Sequence, residues 1–266
     1  MEFEPIYRMT AFVAIFTAMA AFELWSPRLE RHEMRGALKS RRWFTNLSMV
    51  VLSSVCLRIV FPAAAVGTAL YAQSQGWGLF NAMGIAPIIG GILAFVILDF
   101  AVWLEHVVSH KWPLLWRIHR MHHADQGFDL TTALRFHPLE IVLSMVWKAA
   151  IIIALGAPPV AVLIFEIVLN GMAMFNHANA KLPAWLDRVL RMVVVTPDMH
   201  RVHHSAVHRE TDSNYGFNFS FWDRIFKTYI HQPEAGHDKM QIGLAQYDGP
   251  KTSSLFWTLG LPFRAR

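Results

Sequence analysis

Apolar and polar positions alternate along this chain on the scale of whole helices. Residues 8–25 form a first apolar run that closes at Glu23 and Trp25, residues 46–71 a second and residues 84–104 a third. Each is close to or above the roughly 20 apolar residues that carry a helix across a bilayer. A fourth stretch, 139–175, is split at Ala157-Pro158-Pro159. Its two arms of about 16–17 residues are marginal against that length, so the pattern predicts a hairpin that either spans or dips partway. After Pro183, Leu186, Val189, Leu190 and Val193 share one helical face, which predicts an amphipathic interfacial helix over 182–195. The fold class expected is an all-α membrane protein with about four transmembrane or dipping helices.

Charge orients the arrangement. Arg28, Arg31, Arg35, Lys39, Arg41 and Arg42 crowd the link after the first run. By the positive-inside rule that link is cytoplasmic, and the N-terminus lies on the far side. The uncharged stretch 72–83 then suits the outer face, and the third run crosses back inward. Its glycines, Gly84, Gly90 and Gly91, suit close helix packing. Residues 105–137 and 176–230 fall on the cytoplasmic side, with 231–266 as a cytoplasmic tail, and the whole of 1–266 reads as a single domain. Arg58, one turn before Pro62 in the second run, is expected to pair with Asp99 or Glu166 inside the bundle.

Composition narrows the options further. Hydrophobic residues make up 54% of the 266, more than a soluble domain needs. The net charge of +5 sits beside apolar runs and no nucleic-acid motif accompanies it, so nucleic acid is not an expected partner. Cys56 is the only cysteine, which excludes an internal disulfide, a four-cysteine zinc site and a cysteine-held iron–sulfur cluster. No signal-peptide cleavage pattern precedes the first run, so that run is expected to persist as a helix.

The polar stretches carry the candidate chemistry. Residues 105–123 read EHVVSHKWPLLWRIHRMHH, and residues 199–204 read MHRVHH. Pro113 is suited to start a helix carrying His119, His122 and His123, and Gly127 interrupts the pattern beyond it. His106 and His110 are four apart, while His119, His122 and His123 repeat the spacing of His200, His203 and His204. Residues three and four apart on a helix are neighbours, and neutral imidazole is the commonest protein ligand for iron and zinc. Eight imidazoles exceed the six places of one octahedral ion, so the set predicts a dinuclear site in a cytoplasmic helical cap. Metal-bound imidazoles donate their second N–H to a carboxylate or carbonyl. Asp99, Glu105, Glu140 and Asp198 stand at the right places in the chain for that role. His32, His208, His231 and His237 sit in polar contexts and are expected at the surface.

The series HxxxH, HxxHH and HxxHH resembles the fatty acid hydroxylase / sterol desaturase superfamily of membrane di-iron oxygenases. RFHPLE around His137, FNHAN around His177, TPDMHRVHHS and NYGFNFSFWDRIFKTY agree with it, and together the resemblance covers roughly residues 95–230. It implies two iron ions, with zinc as a possible substitute in a recombinant sample, and O2 as co-substrate. It implies hydroxylation, or alternatively desaturation, of a sterol, fatty acyl or related membrane lipid. Two electrons per turnover would come from a separate ferredoxin or cytochrome b5-like donor with its reductase, since no fused donor domain is evident. The resemblance adds His177 as a ninth ligand, leaves Asn179 or water to complete the shell, and suggests that His137 lines the site. The setting implied is a bacterial inner membrane. A zinc hydrolase is the competing reading, but EHVVSH places its acid outside the histidine pair, where HExxH would place it within. A metal transporter or sensor would need a path of ionisable residues across the membrane, which Arg58, Asp99 and Glu166 do not make.

Overall fold

A computed structural model describes residues 4–29 and 37–264. Arg31, His32 and Arg35 lie outside the described residues. The described residues are all-helical, and pairing of extended backbone is limited to isolated bridges such as Pro27 with Ala180 and Val194 with Phe219.

The membrane part consists of α1 (Glu4–Trp25), α2 (Ala37–Val60), α3 (Ala64–Ser74), the single turn α4 (Leu79–Ala82), α5 (Pro87–Lys111), α7 (Pro138–Leu155) and α8 (Pro159–His177). By length and composition five spans are apolar enough to cross a bilayer, against the expected four or so, because both arms of 139–175 form full helices. They are consistent with an integral membrane protein. The second span is interrupted at Pro62, which lacks the N–H that would continue the helix. Ala65, Ala69, Leu98, Ile152, Val162 and Phe165 form the main core between α3, α5, α7 and α8. Outward-facing Ile59, Ile88 and Ile92 remain exposed, as a bilayer-facing surface would require. α1 rides on the outside, with Phe12, Ile15, Phe16 and Met19 packed against Ala133, Ala173 and Met174.

Proline punctuates this architecture. α5, α7 and α8 begin on Pro87, Pro138 and Pro159, and the cap helices α6 (Pro113–His123) and α10 (Pro197–His203) begin on Pro113 and Pro197. Each fixes φ for a first turn whose N–H has no helical partner. α7 ends at Gly156 with φ 67°, the left-handed conformation that glycine adopts without cost. Gly78 meets it there so closely that a Cβ would lie 2.0 Å from the Gly156 nitrogen, which ties the turn before α4 to the α7–α8 turn. Gly90 and Gly91 do pack closely, against Phe80 and Ala161, whereas Gly84 has φ 63° and serves a turn.

The cap is held by buried ion pairs. Arg42, 1% exposed, donates to Asp125 at 2.6 Å and to Asp129 at 2.7 Å. Arg135 donates to Met121 O, Asn46 Oδ1 and Thr252 O. Burial alone would raise the Asp125 carboxyl, but Arg42 and Arg135 outweigh it and hold it at about 2. Arg42 is therefore an internal tie between α2 and the cap, not the solvated membrane flank that the charge pattern suggests. Arg58 is also placed differently from expectation. Among the described residues its one hydrogen bond is to Pro62 O, while Glu166 is taken by Arg8 and Lys148, and Asp99 by Trp222. The interfacial helix, α9 (Ala184–Leu190), is shorter than 182–195, because the β-branched Val193-Val194-Val195 run extends to bridge residues 218–219.

Candidate metal centre

Four helix ends converge beneath the cap: the C-terminal turns of α5, α8 and α10 and the last two turns of α6. They place nine buried imidazoles in two adjoining groups. His106, His110, His119, His123 and His203 form one, and His122, His177, His200 and His204 the other. Within each group one nitrogen per ring lies within 4.8 Å of the rest. Neither HxxHH motif serves a single point, as the spacing suggested. The i, i+4 pair His119/His123 enters the first group and His122 the second, while His200/His204 enters the second and His203 the first. A helix advances about 100° per residue, so the middle histidine of each motif is turned about 60° from the first and about 100° from the last, which are only about 40° apart. His123 and His204 stack at 4.5 Å where the groups meet.

The second ring nitrogens show which atom faces inward. His106, His122, His177 and His203 direct Nδ1 at the carbonyl oxygens of Tyr215, Arg135, Ala173 and Ser213, at 2.8, 3.3, 2.7 and 2.6 Å. A carbonyl only accepts, so Nδ1 carries the proton and Nε2 carries a lone pair. Yet His177 Nε2 lies 3.1 Å from His122 Nε2, and His106 Nε2 lies 3.2 Å from His119 Nε2. Two lone pairs cannot hydrogen-bond to each other. Protonation does not relieve the conflict between His122 and His177: burial, then the neighbouring imidazoles, holds His122 well below the usual histidine range, and burial takes His177 to about 4. A cation between the lone pairs does. With metal–nitrogen bonds of about 2.1 Å, adjacent ligands lie about 3.0 Å apart at right angles and about 3.4 Å at the tetrahedral angle. The observed separations fall between these values, so the residues present fit a metal ion in each group.

The sequence profile of the fatty acid hydroxylase family matches residues 91–228, which include all nine histidines. The chain belongs to the fatty acid hydroxylase family. It is 25% identical to the ornithine lipid hydroxylase OlsE of Rhizobium tropici, over 84% of this chain and 68% of that protein. It is 30% identical to alkylglycerol monooxygenase of Homo sapiens over 57% of this chain, and 27% identical to a cholesterol 25-hydroxylase-like protein of Danio rerio over 56%. The match spans about a third of the length of the human protein, 32%. No solved structure matches this chain. Family membership makes the chain an oxidoreductase of the lipid-hydroxylase type.

Within this hydroxylase family chain, one of the four expected carboxylate partners meets a ring of the two groups. Glu140 accepts from His119 Nδ1 at 2.6 Å. Asp99 instead accepts from Trp222 Nε1 and Phe219 N, anchoring 214–229 to α5. Glu105 accepts from Ser144, since on α5 it faces α7 and not the histidines. Asp198 pairs with Arg28 at 3.0 Å, drawn away by the segment after α1. Asn179 exchanges hydrogen bonds with the backbone of Leu29 and does not complete the second group. His137 caps α7, accepting from Leu139 N through Nδ1 and donating through Nε2 to Leu259 O. Its Nε2 thus carries a proton, the opposite of the ligand tautomer. His237 is buried 3.9 Å from Asp198, whereas His208 is exposed as expected.

Asp212 was not anticipated. It approaches His110 Nδ1 at 3.3 Å and pairs with Lys111 at 2.6 Å. Tyr215, with its ring against His106, His110 and His203, was also missed, as was Phe136, stacked on His122 at 4.4 Å. The only sequence signal for Tyr215 was its place in the NYGF segment. A cavity of about 730 Å³ reaches His106 and His119 from within the bundle, past Phe136, Ile167, Leu169 and Phe217.

Proposed function

We propose that this chain hydroxylates a C–H bond of a membrane lipid, using two iron ions, O2 and two electrons supplied by a separate donor protein. The observation that carries the reading is the set of inward Nε2 lone pairs, divided five and four, at the end of a mostly apolar cavity. Iron bound there would supply redox and oxygen chemistry that zinc cannot. Overall, one oxygen atom enters the new C–OH group and the other leaves as water, with two electrons and two protons consumed.

The chain's own part is positional. Carbonyls of Tyr215, Arg135, Ala173 and Ser213, with the Glu140 carboxylate, hold five rings in the tautomer that presents Nε2. An all-imidazole shell adds no negative charge to offset that of the ions, unlike the carboxylate-rich sites of soluble di-iron bundles. The apolar part of the cavity wall would steer an apolar segment toward His106 and His119. Desaturation at the same centre is the alternative outcome, and the substrate carbon's position selects between them. The relatives' names, hydroxylase and monooxygenase, support hydroxylation. Ornithine lipid and alkylglycerol in those names support a polar lipid as substrate. The basic segment 26–44 supports a cytoplasmic metal site in a bacterial inner membrane, within reach of a ferredoxin or cytochrome b5-like donor.

Metal analysis with oxygen uptake tests the proposal. Iron close to two per chain, with donor-dependent O2 consumption and a hydroxylated lipid accumulating in expressing cells, is the expected result. A single zinc and hydrolysis without oxygen use would favour the hydrolase and end this reading.

A further inference from the structure

The cavity has two chemically different ends. One is formed by His106, His119, Glu105 and Glu140. The other presents three cations from three helices: Arg8 of α1, Arg58 of α2 and Lys148 of α7. Eight residues of α7, about 12 Å of helix, separate Glu140 from Lys148, with Ser144, the partner of Glu105, halfway between them. Between them the wall is largely apolar, with Phe12, Ile15, Val50, Ile167 and Leu169.

Cations in membrane-spanning helices are costly and mark ligand sites or internal pairs. Arg8 and Lys148 are partly explained as pairs: both contact Glu166, and Arg8 also contacts Glu4 at 2.6 Å. Neither carboxylate lines the cavity, however, so the charged groups that this end presents to it are Arg8, Arg58 and Lys148, the last within electrostatic range of Glu105 further along the wall. Arg58 makes no ion pair among the described residues. Its guanidinium has one hydrogen bond, to Pro62 O at 3.3 Å, and it remains exposed. Among the described residues, four of its five N–H donors thus have no partner and can meet a ligand.

We propose that Arg58, supported by Arg8 and Lys148, binds the oxyanion of an amphipathic lipid, a carboxylate or a phosphate, whose apolar chain runs along the cavity to the histidines. The assignment rests on the histidine groups being the reacting end. It makes the polar group of the substrate a ruler: the carbon attacked is set by its distance from that anion. A guanidinium fits either oxyanion through paired N–H donors, and a neutral alcohol meets it with fewer and weaker bonds.

Binding tests this without turnover. Full-length protein in detergent, stripped of metal, is titrated with palmitate, hexadecyl phosphate and hexadecanol, each displacing a fluorescent fatty acid. At least one of the two anions should bind about tenfold or more tighter than the alcohol, as one charge-assisted hydrogen bond would give. Preference for palmitate points to a fatty acid, and preference for the phosphate to a phospholipid. Arg58→Gln should remove most of the preference, and Arg58→Lys should keep part of it. Arg58 holds no other side chain, so both variants should fold, which unchanged thermal melting checks. Equal binding of hexadecanol, or an undiminished anion preference in Arg58→Gln, overturns the proposal. Because no metal or oxygen enters the assay, either result is separate from the fate of the oxygenase reading.

Discussion

The histidines differ at the scale of single atoms, and the difference lies in which ring nitrogen is free. His203 presents Nε2 because Ser213 O fixes its Nδ1 proton, whereas His137 presents no lone pair to the cavity because Leu259 O holds its Nε2 proton. His203→Ala and His122→Ala should each abolish activity and lower bound iron below two per chain, read by metal analysis of folded protein; full metal content in both would remove them as ligands. Asp212→Asn keeps the size of the group but weakens its hold on His110, and should reduce activity or metal affinity about 10–100-fold, measured by chelator competition. His137 gives a pH prediction of known sign. Burial lowers its pKa below the usual 6.5, so as pH falls through that value the unfolded chain takes up a proton that the folded one resists. Its contribution is complete above the unfolded pKa and is lost on acidification. Protonation also removes the Nδ1 acceptor that caps α7. His137→Asn retains a cap but does not titrate, so its melting temperature should fall less than wild type between pH 7 and pH 5.

At the scale of elements, α2 serves two environments. Its first turns belong to the cap, where Arg42 joins Asp125 and Asp129, and its later turns carry Arg58 beside the cavity. Removing Arg42 would leave two buried carboxylates without their paired guanidinium, with Arg135 as the remaining counter-charge near Asp125, and breaking such a pair typically costs about 3–5 kcal/mol. Arg42→Met should therefore lower the melting temperature sharply and loosen the cap, while Arg41→Met, about a quarter of a turn away and exposed, should leave it unchanged; equal melting of the two would refute the tie. The start of α6 was legible in advance at Pro113, because the missing N–H is a local property. The end of α9 was not, because Val195 leaves helical geometry to meet Asn218, a partner distant in sequence.

Across the whole molecule, the five spans, the cap and the tail assemble one centre from residues nearly a hundred positions apart. The tail closes the cap from outside: Trp257 and Leu261 pack with Met49 and Met121, and Arg120 donates to Leu261 O. The topology proposed for this assembly has a direct test. In a Cys56→Ala background, Gln75→Cys should react with an impermeant thiol reagent applied to intact cells, and Lys239→Cys only after lysis. The reverse pattern would put the metal centre on the other face of the membrane.

Local spacing determined the helical class, the start of α6 at Pro113 and eight of the nine inward-facing imidazoles, since a helix fixes which neighbours share a face regardless of what surrounds it. His177 was reached through the family resemblance, there being no second histidine four residues away. Tertiary structure alone decided the division into five and four, the carbonyls that set the tautomers, the ties made by Arg42 and Asp212, and the cationic end of the cavity. Each of these depends on groups brought together through space, and backbone carbonyls in particular carry no signature in the identity of the residue that bears them.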